Sequence, residues 1–261
     1  MNQRIKVTIA YDGAAFCGWQ LQAEDKERLK PSVQGTLEEA LYALGNERVV
    51  IHGSGRTDSG VHAEGQVFHF DPPAGRESMD WGRFFTAVLP KAIQVMGVES
   101  VDEAFHARFS ATGKLYEYCL WSDKQKAHPK LAPYVWSVGP LALEAMEEAA
   151  SFLVGERNFA SFQNHGSDVQ DTVRTITALH CQRGRCGPFA CPDLPVFTWS
   201  IEGNGFLRQM IRNIMGLLVW VGTGKVAIAD VPRFIEACER NKLPSPAAPA
   251  NGLTLAKVYY P

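Results

Sequence analysis

The stretch RVVIHGSGRTDSGVHAEGQVFHF, residues 48–70, sets two strand-like runs on either side of a glycine-rich connection. RVVIH (48–52) is β-branched and apolar, and QVFHF (66–70) alternates polar with apolar, so the segment between them reads as a loop joining two strands. That loop, GSGRTDSGVH (53–62), carries Arg56 and Asp58 one residue apart among three glycines. Asp58 has two readings. Asp and Gly are turn residues, because Gly tolerates positive φ and Asp accepts hydrogen bonds from nearby backbone. The other reading makes Asp58 a chemical group displayed on a loop, and the rest of the chain must decide between them.

Outward from this unit, strands and helices alternate, which argues for a mixed α and β protein. IKVTIAYDG (5–13) opens as a strand. SVQGTLEEALYAL (32–44) puts Val33, Leu37, Ala40, Leu41 and Leu44 on one helical face, with Ser32 as N-cap. MDWGRFFTAVLP (79–90) predicts a helix that stops at Pro90, and AIQVMGVESV (92–101) a strand. The first half therefore orders as β-α-β-β-α-β, the split βαβ arrangement also used by RNA-recognition modules. The second half predicts a strand at KLYEYCLW (114–121), a helix at 141–155, a strand at VFTWSIEGNGF (196–206) and a helix at LRQMIRNIMGLLVWVGTGK (207–225). A short helix near 230–240 and a closing strand, GLTLAKVYY (252–260), complete it. The expectation is an α+β fold of two related split-βαβ halves with mainly antiparallel sheets, divided as residues 1–110 and 111–261. The first would carry the Asp58 loop and the second would complete the active-site cleft.

Composition narrows the class. With 261 residues, 46% hydrophobic and 21% charged, the chain can bury a sizeable core. It contains no apolar run long enough to span a membrane, and its N-terminus enters a strand pattern directly, so the expected location is the cytoplasm. Net charge is −2, the wrong sign for a protein that grips a polyanion with its whole surface. Residues 1–110 hold 11 Lys and Arg against 15 Asp and Glu, and the remainder 15 against 13, so any such site must be a local patch. The six cysteines do not form a disulfide framework, and the spacing of Cys181, Cys186 and Cys191 matches no common zinc pattern. Free thiols are expected there.

Several stretches hold more polar chemistry than a core requires. YDGAAFCGWQ (11–20) mixes aromatics with Asp12, Gly13 and Gly18, and FHARFSAT (105–112) sets Arg108 between aromatics. Tyr116 and Tyr118 share one face of a strand, where either can be a packing residue. Arg208 and Arg212 lie four apart, a spacing for one helical face near an N-terminus that favours anions, although an exposed charged face has the same spacing.

Taken in order, YDGAAFCGWQ, SVQGTLEEAL (32–41), GSGRTDSGVHAEGQVFHF (53–70), FHARFSA, YEY (116–118), NFASF (158–162), MIRNIMG (210–216) and APANGLTLAKVYYP (248–261) resemble the motifs of the tRNA pseudouridine synthase A family. The resemblance runs from about Ile5 to Pro261, and its most specific string is GRTDSGVHA. It implies a pseudouridine synthase fold and isomerisation of uridines 38–40 in the tRNA anticodon arm, by a homodimer without cofactor or metal. It implies that Asp58 is the catalytic carboxylate, that Arg56 pairs with it, and that Tyr116 stacks on the target base and can assist proton transfer. Arg212 would lie near the carboxylate and Leu253 would line the base pocket. Phosphates would fall to cations such as Arg108 and Arg208.

Two rivals from other classes remain at this stage. A catalytically silent RNA-binding protein could use the same sheets, but readout of single-stranded RNA relies on exposed aromatics and needs no carboxylate aimed at a sugar. A metal-dependent hydrolase built on His52, Asp58 and His62 would require ligand spacings that match no known pattern.

Overall fold

The computed structural model describes residues 4–20, 30–164, 169 and 171–261. The chain divides into two compact units, Met1–Thr112 with Leu255–Pro261, and Gly113–Thr254.

In the first unit, β1 (Arg4–Tyr11) turns Ile5, Val7, Ile9 and Tyr11 inward in strict alternation. Helix α1 (Val33–Gly45) starts where the Ser32 hydroxyl accepts the Gly35 N–H at 3.1 Å, and it ends at Asn46 with φ 55°. Strand β2 (His52–Gly53) leads into the glycine loop and β3 (His62–Phe70) leads out of it. Helix α2 (Trp81–Val88) is capped by Asp80, and β4 (Ile93–Val101) follows. The sheet runs β4, β1, β3 and then the closing strand of the chain, with β2 paired to β3. Val7 stands opposite both Phe68 and Val98 in antiparallel register.

The predicted β-α-β-β-α-β order is the observed one. The strand at 48–52 is not: only His52 and Gly53 pair, opposite His69 and Phe68. Arg48 and Val50 are exposed, so β-branched composition there has no neighbouring strand to pack on. The core beneath the sheet is aromatic. Phe70 meets Trp81 edge-on at 4.9 Å and Phe85 at 6.0 Å, and Phe68 meets Phe85 at 5.9 Å. Each such buried ring contributes about 1.5–3 kcal/mol.

The second unit contains β5 (Gly113–Ser122), β6 (Trp136–Val138), α3 (Leu143–Ser151), β7 (Gly155–Asn158) and β8 (Val173–Arg183). A small hairpin, β9 (Arg185–Cys186) with β10 (Phe189–Ala190), precedes β11 (Val196–Gly203). Helices α4 (Met210–Gly222) and α5 (Val231–Glu236) and strand β12 (Leu253–Tyr259) end the chain. Within the unit the strand order is β5, β11, β8, β7, antiparallel throughout, with β6 parallel to β5. Strand β8 went unpredicted because only Ile176 along it is buried, which leaves no apolar alternation to read. Helix α4 starts at Met210, three residues later than predicted, because Gln209 sits at φ 60° and breaks the helical path. The residues of β12 from Leu255 onward belong to the first unit, where the Tyr259 carbonyl accepts the Thr112 N–H at 2.9 Å.

The three clustered cysteines are free thiols. Cys186 is buried with Cys119, Val135 and Val196, and Cys191 packs against the same cluster. Burial pushes the Cys181 thiol up to about 12.

Candidate active site

The loop between β2 and β3 is held from both sides. Beneath it, the buried amide of Gln66 accepts from the Ser54 hydroxyl at 2.5 Å and donates to the Gly55 carbonyl at 3.0 Å. The Ser54 N–H donates to the Val67 carbonyl at 2.7 Å. From the other side comes the segment 11–19. The Tyr11 and Thr57 hydroxyls share a hydrogen bond of 2.7 Å, and the Trp19 N–H donates to the Thr57 carbonyl at 3.1 Å. Burial holds the Tyr11 phenol far above its ordinary value, so it stays protonated.

Two glycines make this close approach possible. A Cβ on Gly13 would lie 2.1 Å from the Val61 carbonyl oxygen. Gly18, at φ +113°, would bring one to 2.8 Å from the Thr57 oxygen. Both contacts are with backbone, which cannot swing aside. The YDGAAFCGWQ stretch is therefore the brace of the Asp58 loop, and Asp12 within it caps its own turn by accepting the Ala14 N–H at 2.9 Å.

Arg56 is exposed and Asp58 is half-buried on this braced loop, and the Val61 N–H closes a turn onto the Asp58 carbonyl at 3.1 Å. This contact is made by backbone atoms of both residues. The histidines do not assemble around Asp58 as a metal site. His62 accepts the Gly13 N–H at Nδ1, 3.1 Å away, while His52 stacks on His69 at 5.0 Å. Among the described residues no group of three or more His, Cys, Asp or Glu is placed to hold a metal ion. Arg108 is exposed on a turn of the same unit, its guanidinium 5.7 Å from the Phe109 ring centre.

The other predicted site residues lie in the second unit. Tyr116, on β5, is buried and meets Phe206 edge-on at 5.3 Å. Tyr118 is the packing tyrosine of the pair: it is fully buried and its hydroxyl donates to the Pro249 carbonyl at 2.7 Å. Arg212 lies in the first turn of α4, where its Nε donates to the Ala248 carbonyl at 2.7 Å. The Ala248 N–H returns to the Arg212 carbonyl at 2.9 Å. Arg208 does not share a helical face with Arg212. It is exposed in the turn before α4, because the positive φ of Gln209 separates it from the helix. Leu253 opens β12 and is buried.

Other motif residues turn out to support the fold. Asn213 is fully buried, donates to the Phe162 carbonyl at 2.7 Å and accepts from Arg240 at 3.2 Å. Ser161, also buried, accepts the Glu239 N–H at 3.0 Å. Sequence reasoning missed Thr57, His62 and Gln66 as loop supports. For His62 and Gln66 the only signal was a polar side chain on a strand that would ordinarily bury apolar ones, and Thr57, in the loop, gave none.

A family model for tRNA pseudouridine synthase matches residues 7–110 and 149–261. The chain is 45% identical to the tRNA pseudouridine synthase A of Lawsonia intracellularis, over 98% of its own length and 99% of that protein's. It is 46% identical to that of Solidesulfovibrio magneticus (98% and 91%) and 39% identical to that of Geobacillus kaustophilus (100% and 95%).

Proposed function

Because this chain belongs to the tRNA pseudouridine synthase family, we propose that it isomerises uridine to pseudouridine in tRNA by means of the Asp58 carboxylate. A single observation carries the assignment of the carboxylate. The GRTD loop is braced by hydrogen bonds to Thr57, Gly55 and Ser54 on either side of Arg56 and ahead of Asp58, in a chain that matches the family along almost its whole length. A catalytically silent RNA-binding protein has no use for such a carboxylate and finds no support among the relatives.

Isomerisation breaks the C1′–N1 bond of the uridine and makes C1′–C5. N1 gains a proton, C5 loses one, and no cofactor is consumed. The uracil must be held while detached and turned over. Whether it attacks C1′, adds to C6 or removes the C2′ proton, Asp58 acts as an anion, and the Arg56 guanidinium favours that charge and directs it. The target nucleotide must leave its stack at a cost of a few kcal/mol, and Tyr116 restores stacking to the flipped base. In this reading Leu253 and Arg212 serve the base and its reaction, and Arg108 and Arg208 meet phosphates. The targets are uridines 38–40 of the anticodon arm.

Tritium at uridine C5 enters water as pseudouridine forms. The enzyme should release it from tRNA labelled there, with label at positions 38–40 accounting for the release. A protein that binds tRNA and releases no tritium would overturn the assignment.

A further inference from the structure

Phe109 is 77% exposed, although the turn that carries it is firmly built. The His106 Nδ1 accepts the N–H groups of Arg108 at 3.1 Å and Phe109 at 3.4 Å. The His106 N–H donates to the Ser110 hydroxyl at 3.0 Å, and the Ser110 N–H returns to the His106 carbonyl at 2.8 Å. Ala107, at the centre of the turn, is buried. Its N–H donates to the His69 Nδ1 at 3.0 Å, and its carbonyl accepts from the Tyr260 hydroxyl at 2.6 Å. The ring is thus presented to solvent by a rigid support.

Its surroundings are aromatic and cationic. The His106 ring lies 4.4 Å from the Phe109 ring and tilted 38° to it, with the Arg108 guanidinium at 5.7 Å. Behind them His106 packs on His69 at 4.7 Å and on His52 at 5.4 Å. His52 opens β2, the strand that runs directly into the Asp58 loop. The turn therefore stands at the root of that loop, inside one unit.

We propose that Phe109 is a stacking platform for an unpaired base of the tRNA substrate, with Arg108 beside it meeting the backbone phosphate. The proposal rests on the tRNA-modifying role above. A rigid exposed ring flanked by a guanidinium is what single-stranded RNA segments are bound by: the ring takes the face of any base and the cation follows the backbone. A protein partner is the poorer fit, since the buried centre of a protein interface is depleted in charge and the neighbours of this ring are an imidazole and a guanidinium.

The test uses the full-length protein with Phe109→Ala, Phe109→Leu and Phe109→Tyr, measuring tRNA affinity by filter binding and KM and kcat by tritium release. Loss of one base stack should weaken tRNA binding by about tenfold in the Ala and Leu variants, raising KM rather than lowering kcat, while the Tyr variant stays near wild type. Leu preserves apolar bulk without a π face, so a Leu variant that binds tRNA like wild type overturns the proposal. Equal affinity in all three variants with a changed mass in light scattering also overturns it, and reassigns the surface to contact between copies. If wild type binds tRNA but releases no tritium, while Ala and Leu still weaken binding and Tyr does not, the isomerase assignment falls and the stacking platform stands.

Discussion

Asp58→Asn is the sharpest test at the scale of a residue. The turn around Asp58 is closed by its backbone carbonyl and the Val61 N–H, which the substitution leaves in place, and Asn has similar size and turn-forming ability. Stability should change by no more than about 1 kcal/mol. Tritium release should cease, because an amide cannot act as anionic nucleophile or base, while tRNA affinity, set mostly by phosphate contacts, should hardly move. Arg56→Lys should fall between wild type and Asp58→Asn: the charge remains, but the planar fork that orients a carboxylate is lost. An Asp58→Asn protein working at about a tenth of the normal rate, the loss of a single transition-state contact, would return this residue to an ordinary turn.

At the scale of elements, the Asp58 loop rests on a segment that holds no proposed catalytic residue. Gly13→Ala would drive a Cβ to 2.1 Å from the Val61 carbonyl, and overpacking of this kind costs about 1–3 kcal/mol. The Asp58 loop must shift to relieve it, and displacement of a reacting group by about 1 Å can cost about a hundredfold in rate. Activity should therefore fall by about two orders of magnitude while melting shows a folded protein; normal activity in a folded Gly13→Ala variant would show that the brace is dispensable.

The histidine stack behind the Phe109 turn should make stability depend on pH. Burial lowers the His69 pKa to about 4, with smaller contributions in the same direction from Arg4, His106 and His52, and Asp71 opposing. Its Nδ1 accepts the Ala107 N–H, so the folded state needs the neutral ring. Between the ordinary histidine value of about 6.5 and about 4 the unfolded chain binds the extra proton, so stability is fully present above that range and declines as pH falls through it. Urea titrations from pH 7 to pH 4.5 should show this loss in wild type and a shallower one in His69→Gln. Equal slopes would place the titration elsewhere.

At the scale of the whole molecule, charge is the constraint. A chain of net charge −2 has no surplus of cations with which to hold an RNA, and two copies acting on one tRNA would bring basic side chains from both to it. We therefore expect a homodimer, with tRNA affinity falling steeply as salt rises. Light scattering on the active enzyme should give twice the mass of the chain, and a fully active monomer would refute the expectation. None of the helices among the described residues is long and apolar enough to cross a membrane.

Sequence alone determined what depends on neighbours along the chain. The opening strand at IKVTIAYDG and the Ser32 cap of α1 are local patterns, and both appear where the sequence places them. The ordered motifs, GRTDSGVHA the most specific among them, resemble those of the tRNA pseudouridine synthase A family, and the chain belongs to the tRNA pseudouridine synthase family. Tertiary structure decided what depends on residues far apart in the chain. Gly13 is required by a carbonyl at position 61, Tyr11 by a hydroxyl at 57, and the Ala107 N–H by an imidazole at 69. Val49 and Val50 look like strand and find no partner strand, whereas β8 buries only Ile176 and is a strand because β11 and β7 pair with it. Arg208 leaves the helix through one positive φ at Gln209. Periodicity and capping are written in short-range order, while register, close approach and left-handed backbone are set only once distant segments meet.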